Sequence, residues 1–84
     1  MSTRPTRILV IRFSSIGDVL LTAPALASLR AAIHGPSEIH FLTKSNMRPV
    51  VEGFGSLVDT IHTIDRATSE VTEVLKAAEI DYII

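Results

Sequence analysis

Cysteine and tryptophan are both absent from the 84 residues. Without cysteine there is no disulfide scaffold, no thiolate metal site and no cysteine nucleophile, and the chain is compatible with a reducing compartment, so a cytoplasmic location is expected. Aromatic residues make up only 5% against 46% hydrophobic residues in total, so the core has to be built from aliphatic side chains. That composition suits strands covered on both faces, as in parallel sheets. Neither sign of charge is in excess: 8 Lys and Arg against 9 Asp and Glu give a net charge of -1, so nothing draws the chain as a whole to nucleic acid or to an anionic membrane. Any basic site must be local. Long hydrophobic runs are missing too. The run Ile8 to Ile11 follows Arg4 and Arg7 and stops at Arg12, too short for the core of a signal peptide or for a membrane span. Eighty-four residues suffice for one small core but fall short of a whole α/β enzyme, so one domain or part of one is expected.

What is present alternates between short β-branched runs and longer stretches with helical spacing, the pattern of βαβ units. Ile8 to Ile11 is continuously apolar and predicts a central strand. Ser14, Ser15 and Gly17 then predict a tight loop, with Gly17 in a left-handed turn and Asp18 as the cap of a helix reaching Ile33, closed by His34-Gly35-Pro36. Pro24 lacks a backbone donor, so this helix should kink, or restart near Thr22 after a short first turn. A second strand is expected over Glu38 to Leu42. The helix after it should be capped by Ser45 or Asn46, tolerate Pro49 in its first turn and end at Gly53. Val58 to Ile64 mixes polar and apolar residues as an edge strand does. Val71, Val74, Leu75 and Ala78 then recur at helical spacing, with Ser69 placed to cap and Glu70 and Glu73 near the positive helix end. Asp81 to Ile84 predicts another buried strand in which the sequence stops, so a fragment is expected. Right-handed crossovers order the parallel strands 3-2-1-4, with the first two helices on one face and the third on the other. The switch point, where ligands of open α/β sheets bind, then falls at the carboxyl end of the first strand.

The segment Arg12-Phe13-Ser14-Ser15-Ile16-Gly17-Asp18 occupies that position. It is neither a dinucleotide fingerprint, which needs three glycines, nor a Walker loop ending in Gly-Lys-Ser/Thr. Ser14, Ser15 and the backbone near Gly17 can still hydrogen-bond an acceptor or a sugar. Asp18 has two readings: a helix cap, or a general base taking a proton from a hydroxyl nucleophile. Lys44, after the second strand, suits a phosphate or carboxylate rather than the ribose of a nicotinamide nucleotide, or is a solvated loop cation. Arg48 and Arg66 are candidates to join it. His34, His40 and His62 lack metal-ligand spacing and are expected to be structural or surface residues, so no metal site is predicted.

The run from Ile8 to Leu26, with Ser-Ser-Ile-Gly-Asp-Val at its centre, and Ile39-His40-Phe41-Leu42-Thr43-Lys44 after it, resembles the opening of the heptosyltransferase-type glycosyltransferases of family 9. The resemblance covers the whole chain but only the first quarter of a typical member. It implies a GT-B enzyme whose two Rossmann-like domains face each other across a cleft, with residues 1–84 part of the amino-terminal, acceptor-side domain. The implied fold is an α/β, Rossmann-like three-layer sandwich with a parallel sheet in the order 3-2-1-4, cut short in its fourth strand. The implied reaction is inverting, metal-free and without a cofactor: heptose passes from ADP-heptose to a lipopolysaccharide-core acceptor, with peripheral contact with the inner membrane possible. The family's catalytic aspartate matches Asp18. Leu21 departs from one branch, which has histidine there, and that bears on the sugar. Residues that bind the donor belong to the other domain, so the 84 residues alone are expected to be inactive. A non-catalytic flavodoxin-like or receiver-like binding module is the alternative; receivers cluster acidic residues after the first strand, whereas here two serines and a single Asp18 follow it.

Overall fold

A computed structural model describes residues 4–13, 15–65 and 69–84. Four parallel strands stand in the order β3-β2-β1-β4, where β1 is Thr6–Ile11, β2 Ser37–Lys44, β3 Thr60–Ile64 and β4 Tyr82–Ile83. Between them lie the helices α1 (Ile16–Leu20), α2 (Thr22–Ala32), α3 (Arg48–Glu52) and α4 (Ser69–Ala78). This is the expected α/β Rossmann-like arrangement, strand order included.

Alternation along β1 divides its side chains between two cores. Val10 joins Val19, Leu26, Ile39, Phe41 and Val51 beneath α1, α2 and α3, where the Phe41 and Phe54 rings meet edge to face at 6.1 Å. Leu9 joins Leu42 and Ile64 on the opposite face, beneath Val71, Val74 and Leu75 of α4. Each fully buried aliphatic or aromatic side chain here contributes about 1.5–3 kcal/mol relative to exposure. Residues 8, 9 and 10 are buried in succession because β1 has a paired strand on each side and helices over each face.

Several local expectations are corrected. The first helix begins at Ile16 with Ser15 as its N-cap, so Asp18 is its third residue and not its cap, and Gly17 is helical rather than left-handed. The helix breaks at Leu21 and restarts at Thr22, one of the two outcomes expected of Pro24, whose ring takes the place where the Leu20 carbonyl would have found an amide. Thr22 Oγ1 donates to the Val19 carbonyl at 2.6 Å and helps fix the break. Strand β2 extends two residues past the expected end, to Lys44. Ser45 and Asn46 form a 3₁₀ turn rather than a cap, and α3 starts at Arg48 with Pro49 in its first turn. Strand β4 is exposed, not buried: Tyr82 and Ile83 are 64% and 56% accessible, with β1 on one side and no described residue pairing on the other. Helix α4 closes with Glu79 in the left-handed region at φ 52°, where the Glu79 amide bonds the Lys76 carbonyl and the Ile80 amide the Leu75 carbonyl. That is a Schellman ending, and Ile80 packs into the same core as Leu75. The side chain of Ser69 and the whole of Arg66 lie outside what the structure describes.

Candidate functional site

The central strand delivers its last residue to the carboxyl edge of the sheet, and pairing runs one step beyond it. The Arg12 amide donates to the Leu42 carbonyl at 3.1 Å, and the Arg12 guanidinium folds back to the Ile11 carbonyl at 2.7 Å through Nη1. The guanidinium is thereby oriented, and its remaining N–H groups meet no partner among the described residues. Phe13 turns into the core under α4 and anchors the loop from below. Ser14 lies outside the described residues. Ser15, in extended conformation, starts α1 by accepting the Val19 amide at its carbonyl, 2.9 Å away. Its hydroxyl donates to Asp18 Oδ2 at 3.5 Å, a long side-chain contact within the first turn.

Asp18 is exposed and lines a cleft of about 320 Å³ together with Arg12, Leu21, Thr22 and Ala25. Arg12 comes from the strand end and the others from successive turns of α1 and α2, so the helix break at Leu21 shapes the cleft floor. No ion pair within 4.0 Å joins Arg12 to Asp18 among the described residues, so a carboxylate and a guanidinium share one cleft without neutralising each other. Arg12 also lines an adjoining apolar groove of about 420 Å³ that runs between α2 and the end of the sheet past Val10, Leu26, Leu29 and Ile84. A Cβ on Gly17 would meet nothing within 4 Å, so neither a turn nor a close packing contact requires glycine there.

Of the sequence-predicted site residues, Ser15, Gly17 and Asp18 are brought together in α1. Lys44 is not with them: it lines a separate cleft of about 270 Å³ with Ser45, Asn46, Ile64 and Asp65, one strand further along the sheet edge. There the Ser45 hydroxyl donates to Asp65 Oδ1. Arg48 pairs with Glu52 along α3 at 4.0 Å and does not join Lys44. Sequence reasoning passed over Arg12 as a site residue, although its place immediately after the central strand was a signal for it.

The histidines lie elsewhere. His40 on β2 and His62 on β3 lie edge to edge on the face beneath α4, joined by a 2.8 Å hydrogen bond between His40 Nδ1 and His62 Nε2, with ring centroids 5.1 Å apart and planes within 6°. His40 is also bonded to Glu38 at 3.0 Å. All three histidines were expected to be structural or surface residues; the partnership of this pair was not foreseen. The His40 contact, with the adjacent Arg7, holds the Glu38 carboxyl below its ordinary range. Among the described residues no group of three or more His, Cys, Asp or Glu is placed to hold a metal ion, and no helix is long and apolar enough to cross a membrane.

No protein-family model matches the chain, and no curated protein does. Among solved structures it is similar to a glycosyl transferase of family 9 from Veillonella parvula DSM 2008, with a TM-score of 0.75 and 26% sequence identity over 93% of this chain and 25% of that one. The chain thus spans about a quarter of that solved protein's length and is similar to it, in sequence and in fold, over nearly all of its own.

Proposed function

We propose that these residues form part of the amino-terminal, acceptor-side domain of an inverting GT-B glycosyltransferase and that Asp18 is its general base. The observation that carries this is the position of an exposed carboxylate in a cleft just beyond the carboxyl end of the central strand, where the chain connections diverge to either side of the sheet. In this mechanism Asp18 accepts the proton of an acceptor hydroxyl as that oxygen bonds to the anomeric carbon of a nucleotide sugar. The bond from that carbon to the diphosphate oxygen breaks on the opposite face, and the nucleoside diphosphate leaves with its electron pair. Holding hydroxyl and anomeric carbon in line supplies much of the acceleration. Ser15, with Ser14 beside it in sequence, donates hydrogen bonds to sugar hydroxyls, and the open backbone at Gly17 leaves room for them. Arg12 offers its remaining N–H groups to an anionic substituent of the acceptor. Lys44, in its own cleft, would meet a more distant part of the acceptor.

The donor on this reading is ADP-heptose and the acceptor a lipopolysaccharide-core saccharide, with the enzyme working in the cytoplasm, at most peripheral to the inner membrane, without a metal or other cofactor. The likeness to a family 9 glycosyl transferase supports sugar transfer in general. The decisive experiment supplies the enzyme that carries this segment with ADP-heptose and with other nucleotide sugars, alongside a core acceptor, and follows nucleoside diphosphate release and the mass of the product. Transfer from ADP-heptose with inversion is expected. Transfer of a different sugar would replace the donor assignment, and no transfer from any nucleotide sugar would overturn the proposal.

A further inference from the structure

Beside β4 the sheet carries a groove along α2. Ile84 continues the pairing of β1 with β4 by one step: its amide donates to the Leu9 carbonyl at 2.8 Å and its carbonyl accepts from the Ile11 amide at 3.2 Å, which sets it next to Val10. Side chains alternate along a strand, so Val10, Arg12 and Ile84 share the face of the sheet that lies under α2. Leu26 and Leu29 of α2 pack down towards that floor, while Ala25, Ser28 and Ala32 are too small to close over it. The groove left open has a volume of about 420 Å³, within the size range of small-molecule sites.

This groove has a direction. Helix α2 runs back from the carboxyl ends of the strands towards their amino ends, so Thr22 stands at the Arg12 end and Ala32 at the other, about 15 Å away at about 1.5 Å per residue. Arg12 is the only charged side chain lining it among the described residues. Of the two hydroxyls on its wall, that of Thr22 is committed to the Val19 carbonyl at 2.6 Å, and the remaining lining side chains are aliphatic. A peptide or a sugar laid along such a wall would leave its polar groups unpaired, at a cost that an alkyl chain does not incur. Arg12 itself makes no ion pair within 4.0 Å among the described residues, and only one of its guanidinium nitrogens is engaged, on the Ile11 carbonyl. One cation at one end and apolar walls over the rest select a molecule with the same division of charge. We propose that the groove binds a single-chain anionic amphiphile, a fatty carboxylate or an alkyl phosphate, with its head group on Arg12 and its tail directed towards Ala32.

Arg12, Thr22 and Ala25 line both this groove and the Asp18 cleft, so the head group sits on their common border. The inference goes beyond sugar transfer and does not depend on it. Binding is read on the 84-residue chain without donor or turnover, and its failure would leave the role of Asp18 untouched.

The test is methyl and amide NMR on the isotope-labelled 84-residue chain, titrated with hexanoate, octanoate, decanoate, decyl phosphate, decanol and inorganic phosphate, each kept below the concentration at which it forms micelles. Expected are saturable shifts centred on the methyl groups of Val10, Leu26, Leu29 and Ile84, and an affinity that rises by up to about fourfold for each methylene added from hexanoate to decanoate. Arg12→Gln should weaken decanoate binding by about tenfold or more and leave decanol binding as it was. Ala32→Phe, at an exposed position at the far end, should remove the gain from octanoate to decanoate while sparing hexanoate. Tighter binding of decyl phosphate than of decanoate would support the proposal with a phosphate head group, and the reverse order would support it with a carboxylate. Decanol binding as tightly as decanoate, or inorganic phosphate alone shifting the same methyl groups, would overturn it. So would shifts spread equally over both faces of the sheet, or a spectrum that none of the amphiphiles changes.

Discussion

Replacing Asp18 by Asn separates the chemical role of this carboxylate from its structural one, because the structure makes the second small. Asp18 is exposed, its hydroxyl contact to Ser15 is long at 3.5 Å, and it is the third residue of α1 rather than its cap. Asparagine keeps the size and the hydrogen-bonding oxygen. What the fold loses is a negative charge in the first turn of a helix, worth about 0.3–1 kcal/mol at an exposed site. Loss of a general base costs about a hundredfold to ten-thousandfold in rate, equivalent to roughly 3–5 kcal/mol of transition-state stabilisation. The two effects differ severalfold in size and appear in different measurements. The assay is steady-state kinetics with a thermal melt, on the enzyme that carries this segment and on its Asp18→Asn variant. We expect kcat to fall by about a hundredfold or more, KM to change little, and the melting temperature to drop by a few degrees at most. Turnover within about threefold of the parent, at an unchanged melting temperature, would be too small for a lost base and would leave Asp18 as a charge that suits a helix start.

Three further outcomes are expected. Arg12→Gln should raise KM for an anionic acceptor by about ten- to a hundredfold, the scale of one charge-assisted hydrogen bond, while leaving a neutral analogue unaffected; equal losses for both acceptors would remove Arg12 from anion binding. Thr43 is fully buried in β2 and its hydroxyl has no hydrogen-bond partner among the described residues. Thr43→Val, of matching shape, should therefore stabilise the chain by about 1 kcal/mol and raise its melting temperature by several degrees, and a lower melting temperature would contradict this. Asp59 joins the Ile39 amide at 2.7 Å and Arg30, and although burial pushes its pKa up, these two partners outweigh it and hold the pKa below 3.8. Its contribution is present above that value and lost as the pH falls through the folded-state pKa. Urea melts from about pH 6 down to about pH 2 should show a stability loss that Asp59→Ala lacks, and parallel curves would dispose of the assignment.

The sheet was legible in the sequence because its signals are local and repeated: aliphatic runs of strand length, helical spacing between them, and crossovers of fixed hand. Those fixed the order of the strands and the face taken by each helix. The start of α1 was misplaced by three residues because Ser15 and Asp18 are both good caps, and sequence gives no reason to prefer the first once Gly17 is assigned to a loop. Lys44 was grouped with Asp18 because both follow strands at the same sheet edge. The structure puts them in different clefts because β2 runs two residues further than its apolar stretch. Arg12 was in view but was counted as the end of the strand. The row Glu38, His40, His62 was hidden for another reason: its last link joins residues 22 apart in sequence and depends on the register of β2 against β3, which sets Leu42 opposite His62 and His40 opposite Thr60. A polar residue two before a buried histidine on one strand face was the available hint.

The place of β1 in the sheet sets a timetable for synthesis. Its link to β2 closes over some thirty residues of chain, whereas its other edge waits for a segment far downstream, as the bond from the Arg7 amide to Asp81, 74 residues away, illustrates. At about 5–20 residues per second on the ribosome, the central strand spends roughly 4–15 seconds with one side open to any other extended chain. A strand as apolar as Ile8-Leu9-Val10-Ile11 is an aggregation hazard in that interval. Arg7 and Arg12, at either end of the run, are charged gatekeepers during this interval, before either takes its place in the folded protein.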